Sequence, residues 1–405
     1  MRLIKLFAIY LVVIIYSLEI LIFLFIPSEQ KKMVDIKNTR IKLAKEKQIT
    51  FDLRSPEQAY VDFKNENTRI KPSFLFASHF SNLVTFQNAK KNKNIIPFRG
   101  PLNSFTISCA ESLQYKLIQN DKYGFKNENS RYEKKIKNFL LGDSYAEGLC
   151  EDTKNDIAGH LNKKDNNTVN FGVTGTGPLI SLGILKEFGN NFKPKNTIYL
   201  YFEGNDLDEL NFEKEDNILI KYLNDEFSQN YINRYDEIKS FLKKAENETE
   251  EIIFANSKNI TEVEKKSMYK NIKAHLQDIL EINNLRNIFK YKIFNKQKTE
   301  YELDLLYKIV EKMKNETKKW NGNYIFVYVP TWSRYFTKYT KYDAKIDLKD
   351  EIIQNLKKKN INILDLTDFF DKTENIKKFY PLGYLGHYNS TGYNKIAEII
   401  EKSLY

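Results

Sequence analysis

The chain has 405 residues, 41% of them apolar, with 64 Lys and Arg against 53 Asp and Glu for a net charge of +11. That length holds one large domain or two smaller ones around a sizeable core. Lysine and asparagine are spread along the whole chain, with no compact arginine cluster, zinc-finger spacing or RNA-binding aromatic motif, so no nucleic-acid partner is expected. The positive balance favours an anionic partner, such as an acidic glycan or a membrane surface. Two cysteines and four histidines, without Cys-x-x-Cys or His-Glu-x-x-His, argue against a metal centre.

Residues 6–26 are apolar except for Ser17 and Glu19, with Arg2 and Lys5 before them and Lys31 and Lys32 after. A helix needs about 20 residues to cross a bilayer. No small-x-small cleavage site is evident, so an uncleaved transmembrane signal-anchor is expected over 1–27. It would make a single-pass membrane protein with the bulk of the chain outside the cytoplasm. The alternative is a cleaved signal peptide. Charges on both flanks leave the orientation open. Residues 28–60 read as a polar stalk or peripheral helix. Residues 61–136 are irregular, with the apolar patch Ser73-Phe74-Leu75-Phe76 and an aromatic turn over Asp121–Asn127. Together 28–136 form an N-terminal extension.

From 137 to 405 the pattern is α/β. Short apolar runs at 138–141, 168–171, 196–203, 324–330 and 361–364 alternate with helix-compatible segments. That alternation predicts a parallel sheet covered on both faces. A long insertion, at about 209–320, has helical periodicity in Ile238–Lys244 and Leu303–Val310. It is expected to be helical, as a lid, a substrate groove or plain packing. Its sequons at Asn247, Asn259 and Asn315, like those at Asn166 and Asn389, carry no weight in so asparagine-rich a chain. The loop Thr331–Tyr335 offers Trp332 and Arg334 to a substrate, or simply anchors the loop.

Four stretches carry chemistry. Phe139-Leu140-Leu141-Gly142-Asp143-Ser144 puts a serine at the end of an apolar run. Asn170-Phe171-Gly172-Val173-Thr174-Gly175-Thr176-Gly177-Pro178 and Glu203-Gly204-Asn205-Asp206 also follow apolar runs. Gly386-His387-Tyr388-Asn389-Ser390-Thr391-Gly392-Tyr393 leads into a C-terminal helix. Gly172, Gly175 and Gly177 do not fit Gly-x-Gly-x-x-Gly, and no phosphate loop or metal constellation is present, so no cofactor is expected.

In that order the four blocks resemble the SGNH hydrolase family, the GDSL-like esterases and lipases, over 137–210 and 322–403. The extension resembles pieces found in exported bacterial members. The resemblance implies a three-layer α/β/α, flavodoxin-like SGNH hydrolase fold with a parallel five-stranded sheet in the order 2-1-3-4-5. To it would be added the N-terminal transmembrane helix and the helical insertion.

Acyl transfer from an ester needs a nucleophile, a base and donors for the developing oxyanion. Ser144 supplies the hydroxyl and His387 the imidazole. The resemblance assigns the oxyanion hole to the N–H of Ser144, the N–H of Gly175 and the side chain of Asn205. The family places an aspartate two or three residues before the histidine, where this chain has Leu385 and Tyr384. A Ser–His dyad, a backbone carbonyl, or a carboxylate from elsewhere such as Asp365 would fill that role. Asp143 and Asp206 are expected to hold turns. Glu203 orients a loop or contacts substrate. In an oxidising compartment Cys109 and Cys150 can pair and pin the extension beside the nucleophile; two free thiols are the alternative.

The expected function is a serine hydrolase acting on an acyl ester, acetyl first of all, of an envelope polysaccharide. An O-acetyltransferase with a glycan acceptor, beside a membrane acyltransferase partner, would use the same residues. A non-catalytic glycan-binding scaffold is the reading from another class.

Overall fold

The computed structural model describes residues 2–25, 29–73, 83–111, 113–164, 167–258, 301–336 and 344–404. The patch at Phe74-Leu75-Phe76, the sequons at Asn166 and Asn259, and residues 259–300 of the insertion lie outside the described residues. The chain divides into two units, one of residues 1–48 with 255–301 and the other of 49–254 with 302–405.

The first unit contains the helices Arg2–Phe25 and Glu29–Glu46. Among the described residues no helix is long and apolar enough to cross a membrane. The expected signal-anchor over 1–27 is thereby corrected. With it go the transmembrane element of the fold class, the membrane contact through residues 6–26, the membrane acyltransferase partner and the single-pass localisation. Helix Arg2–Phe25 carries Arg2, Lys5 and Glu19 within it, and an ionised side chain at the bilayer centre costs roughly 2.5–3.5 kcal/mol. Residue 26 lies outside the described residues.

Among the described residues, the second unit holds two sheets. An antiparallel ribbon pairs β1 (Phe105–Ile107) with β2 (Leu117–Gln119). The main sheet contains β3 (Asn138–Gly142), β4 (Thr168–Asn170), β5 (Asn196–Phe202), β6 (Asn323–Val329) and β7 (Ile363–Asp365). All its pairings are parallel, and the spatial order is β4-β3-β5-β6-β7. Every residue of β3 and β5 is buried, as strands covered on both faces must be.

Alternate residues serve opposite faces. Leu140, Ile198, Leu200, Ile325 and Val327 form a core with Ile157, Leu161, Tyr393, Ile396 and Ile400 from helices Ile157–Asn162 and Ser390–Ser403. Tyr201 stacks on Phe326 on the other face, where the Tyr324 hydroxyl reaches Met313 of helix Leu303–Lys318. The result is a general α/β/α arrangement: a five-stranded parallel sheet flanked by helices. A row of asparagines, buried at Asn138 and Asn196 and exposed at Asn323, pins the register at the strand starts. Asn196 donates to Asn138 at 2.8 Å, Asn138 to Thr168 at 3.0 Å, and Asn323 to Asn196 at 3.2 Å.

The segment before β3 is fastened to the end of the sheet by buried polar groups. Asp121 accepts from the N–H groups of Tyr123 and Phe125, from Asn127 and from the Tyr132 hydroxyl at 2.6–3.0 Å. Asn127 and Asn170 exchange two hydrogen bonds of 2.8 Å along the edge of β4. The Lys126 ammonium, 2% exposed, donates to the carbonyls of Glu147, Gly148 and Glu151 and pairs with Asp156 at 3.1 Å. Within the insertion, helix Tyr235–Lys258 is tied to the same segment by Tyr60–Glu250 and Lys71–Glu246, both at 2.7 Å.

Candidate active site

Ser144 sits where β3 turns into the helix Ser144–Glu147. The turn needs Gly142, whose φ is +139° and whose added Cβ would meet the Leu200 carbonyl oxygen at 2.6 Å. Asp143 caps the helix by accepting from the N–H of Tyr145 at 2.9 Å, with its other oxygen 3.5 Å from the Ser144 hydroxyl. Tyr145 stacks on Phe202 with ring centroids 3.8 Å apart, and its hydroxyl donates to the Gly386 carbonyl at 3.3 Å. That bond ties the serine turn to the last sequence block.

His387 stands on the loop before helix Ser390–Ser403, which Asn389 caps by accepting from the N–H of Gly392. Its Nε2 lies 2.8 Å from Ser144 Oγ. Its Nδ1 lies 3.0 Å from Glu111 Oε2, and the same carboxylate oxygen accepts the His387 backbone N–H at 2.9 Å. With Nδ1–H donating to the carboxylate, Nε2 is left as the acceptor for the serine proton. Ser144, His387 and Glu111 therefore form one hydrogen-bonded chain.

Glu111 is the residue that sequence reasoning missed. It sits on the turn after β1, where the N–H of Leu113 donates to the Ala110 carbonyl. Cys109 and Cys150 are joined in a disulfide with Cα atoms 4.9 Å apart, and the N–H of Cys150 donates to Ser108 Oγ at 2.9 Å. The two cysteines were the one signal in the sequence that could have brought this stretch to the serine. Asp365 is engaged elsewhere: it pairs with Lys349 at 2.8 Å and accepts from the N–H and hydroxyl of Thr367. Leu385 and Tyr384 are buried beside His387 and bring no carboxylate.

Gly175 lies in a turn with φ of +73°. Glu147 fixes the residue before it by accepting from the Thr174 N–H at 2.7 Å and hydroxyl at 2.6 Å, while Arg99 pairs with the same carboxylate at 2.5 Å. Asn205 follows β5 and heads helix Asp206–Glu213; its Oδ1 is buried without a hydrogen-bond partner. Its side chain hydrogen-bonds the Asp143 carboxylate. Gly175 and Asn205 are thus both linked to the serine helix, one through Glu147 and one through Asp143. Burial pushes the Asp143 carboxyl up to about 6, against the opposing pull of the Tyr145 N–H and the nearby His387. Asp206, which accepts from the Tyr199 hydroxyl at 2.8 Å, is raised well above the usual carboxylate range by burial and then by Asp143.

Glu203, 1% exposed, accepts from the Tyr328 hydroxyl at 2.7 Å, the Thr331 N–H at 3.0 Å and the Arg334 guanidinium, whose Nε is 3.3 Å away and whose Nη2 is closer. This pair holds the loop after β6 to the end of β5. Trp332 packs, partly buried, against the core of that face. Among the described residues, the group of side chains close enough to hold a metal is Cys109, Glu111 and Cys150, with ligand atoms within 4.8 Å of one another. Both sulfurs of that group are in the disulfide.

No family model matches the chain, and no curated protein matches it. Among solved structures, the crystal structure of TesA is similar over 66% of this chain and 97% of that chain, at 10% identity and a TM-score of 0.35. A likeness at that level carries no argument about family or mechanism. The SGNH hydrolase resemblance read from the four blocks is accordingly corrected to a general α/β/α arrangement. Four short motifs occupy a small part of the chain, whereas a family match must extend through the segments between them.

Proposed function

We propose that the chain is a serine hydrolase of acyl esters. The observation that carries this is the chain of contacts Ser144 Oγ to His387 Nε2 to Glu111, at 2.8 and 3.0 Å. In this reading Ser144 Oγ attacks the ester carbonyl carbon as His387 Nε2 takes its proton. Glu111 fixes the Nδ1–H tautomer and offsets the imidazolium charge. The N–H groups of Ser144 and Gly175 and the amide of Asn205 receive the oxyanion. The tetrahedral adduct collapses, and the C–O bond to the alcohol breaks as His387 returns the proton to the leaving oxygen. Water then enters by the same steps in reverse and releases the acid. The substrate side is an acyl ester, of which an O-acetylated glycan is one form.

The test is hydrolysis of a short-chain chromogenic ester by the full chain beside Ser144→Ala, with fluorophosphonate labelling in parallel. Turnover and labelling that vanish together in the variant support the reading. A wild-type chain that shows neither would instead point to a binding protein.

A further inference from the structure

Resting on the esterase reading, we infer that the Cys109–Cys150 bond is a redox latch on the orienting carboxylate. Glu111 is two positions from Cys109, and its carboxylate touches His387 at two atoms, Nδ1 and the backbone N. Cys150 lies in the segment that follows the nucleophile's helix. One covalent bond therefore joins the carboxylate's turn to the serine's own segment.

Non-covalent contacts also join that turn to the serine's segment. Ser108 accepts one N–H from Cys150, and Lys116 meets Asp152 at 3.4 Å with side chains 29% and 45% exposed, a class of pair that contributes little. The ribbon carrying the turn is three residues per strand. By contrast, the serine and histidine loops are backed by the sheet core and helix Ser390–Ser403. The turn is also held where the Asp52 N–H donates to the Leu113 carbonyl at 2.7 Å, so opening the disulfide loosens the carboxylate's turn against the serine's segment and leaves the other two members in place.

Cys109 is partly exposed and Cys150 is 1% exposed, so a dithiol approaches Cys109. Its thiolate attacks Cys109 Sγ, the Cys109–Cys150 bond breaks, and Cys150 leaves as thiolate and takes a proton. The second thiol of the reductant then attacks the mixed disulfide. The reductant leaves as a cyclic disulfide, and two electrons and two protons remain on the protein as two thiols.

The experiment compares oxidised and dithiothreitol-reduced full chain on the chromogenic ester, with wild type beside Glu111→Gln. Fluorophosphonate labelling rates, thermal melting and the downfield imidazole N–H proton resonance are recorded for each. Reduction is expected to lower kcat by ~10²- to 10⁴-fold, with KM little changed, toward the level of Glu111→Gln. The resonance disappears, the melting transition stays cooperative, and reoxidation restores the rate. Glu111→Gln loses nothing further on reduction. An unchanged rate on reduction overturns the latch while leaving the esterase reading intact. Equal loss in Glu111→Gln, or loss of cooperative melting on reduction, also overturns it, because the bond then serves the fold. Oxidised protein that neither turns over nor labels removes the esterase reading and the latch with it.

Discussion

The two sides of the proposed triad are built differently. Ser144 follows a strand whose five residues are all buried, on a turn that admits only glycine at 142, and His387 is braced by Tyr145, Tyr388 and a capped helix. Glu111 comes from a short ribbon with exposed positions and is held near the serine by a disulfide. A sheet core positions a side chain through many small contacts that no single change removes. A covalent staple positions it through one bond. The serine side is therefore expected to resist local perturbation, and the carboxylate side to yield to it.

The largest effect is expected at the nucleophile. Ser144→Ala lowers kcat by ~10⁴- to 10⁶-fold with an unchanged melting temperature, measured by ester hydrolysis and thermal denaturation. Glu111→Gln comes next, at up to ~10⁴-fold in kcat; a loss below tenfold would make Ser144 and His387 a working dyad and break the comparison. Asn205→Ala is expected to cost ~10²- to 10³-fold in kcat as one oxyanion donor is lost, checked by steady-state kinetics.

Away from the chemistry, Arg334→Leu leaves Glu203 buried without its cation. Breaking such a pair costs about 3–5 kcal/mol, readable by urea denaturation. KM should change little if Arg334 braces the loop, and should rise if it grips substrate.

A pH dependence also belongs to the serine side. Glu213 accepts the N–H groups of Gly177, Leu179 and Ile180, and burial pushes its carboxyl from 4.5 up to about 8. A carboxyl raised on folding binds its proton more tightly in the native state, so its contribution is full below about 4.5 and is lost as pH rises through about 8. Glu213→Gln should flatten that decline in a series of melting temperatures, whereas reduction of the disulfide should leave its slope unchanged.

Much of the main sheet was legible. The runs at 138–141, 196–203 and 324–330 stand out because a strand buried on both faces is apolar along most of its length, and the strands Asn138–Gly142, Asn196–Phe202 and Asn323–Val329 coincide with them. The N-terminal apolar run misled for a related reason: hydropathy reports aversion to water and not the place where that aversion is met. Glu203 and Arg334 looked available to substrate, because a sequence does not show that two charges meet across 131 positions.

The sequence by itself determined that a serine stands at the end of a buried strand and a histidine before a C-terminal helix, since both follow from local pattern. Only the tertiary structure decided which carboxylate orients the histidine. Glu111 is 276 positions from His387, and neither periodicity nor spacing reaches that far. Contacts between distant segments are chosen by how the whole chain packs: here Glu111 meets His387 through two hydrogen bonds, and the Cys109–Cys150 bond joins its turn to the serine's segment.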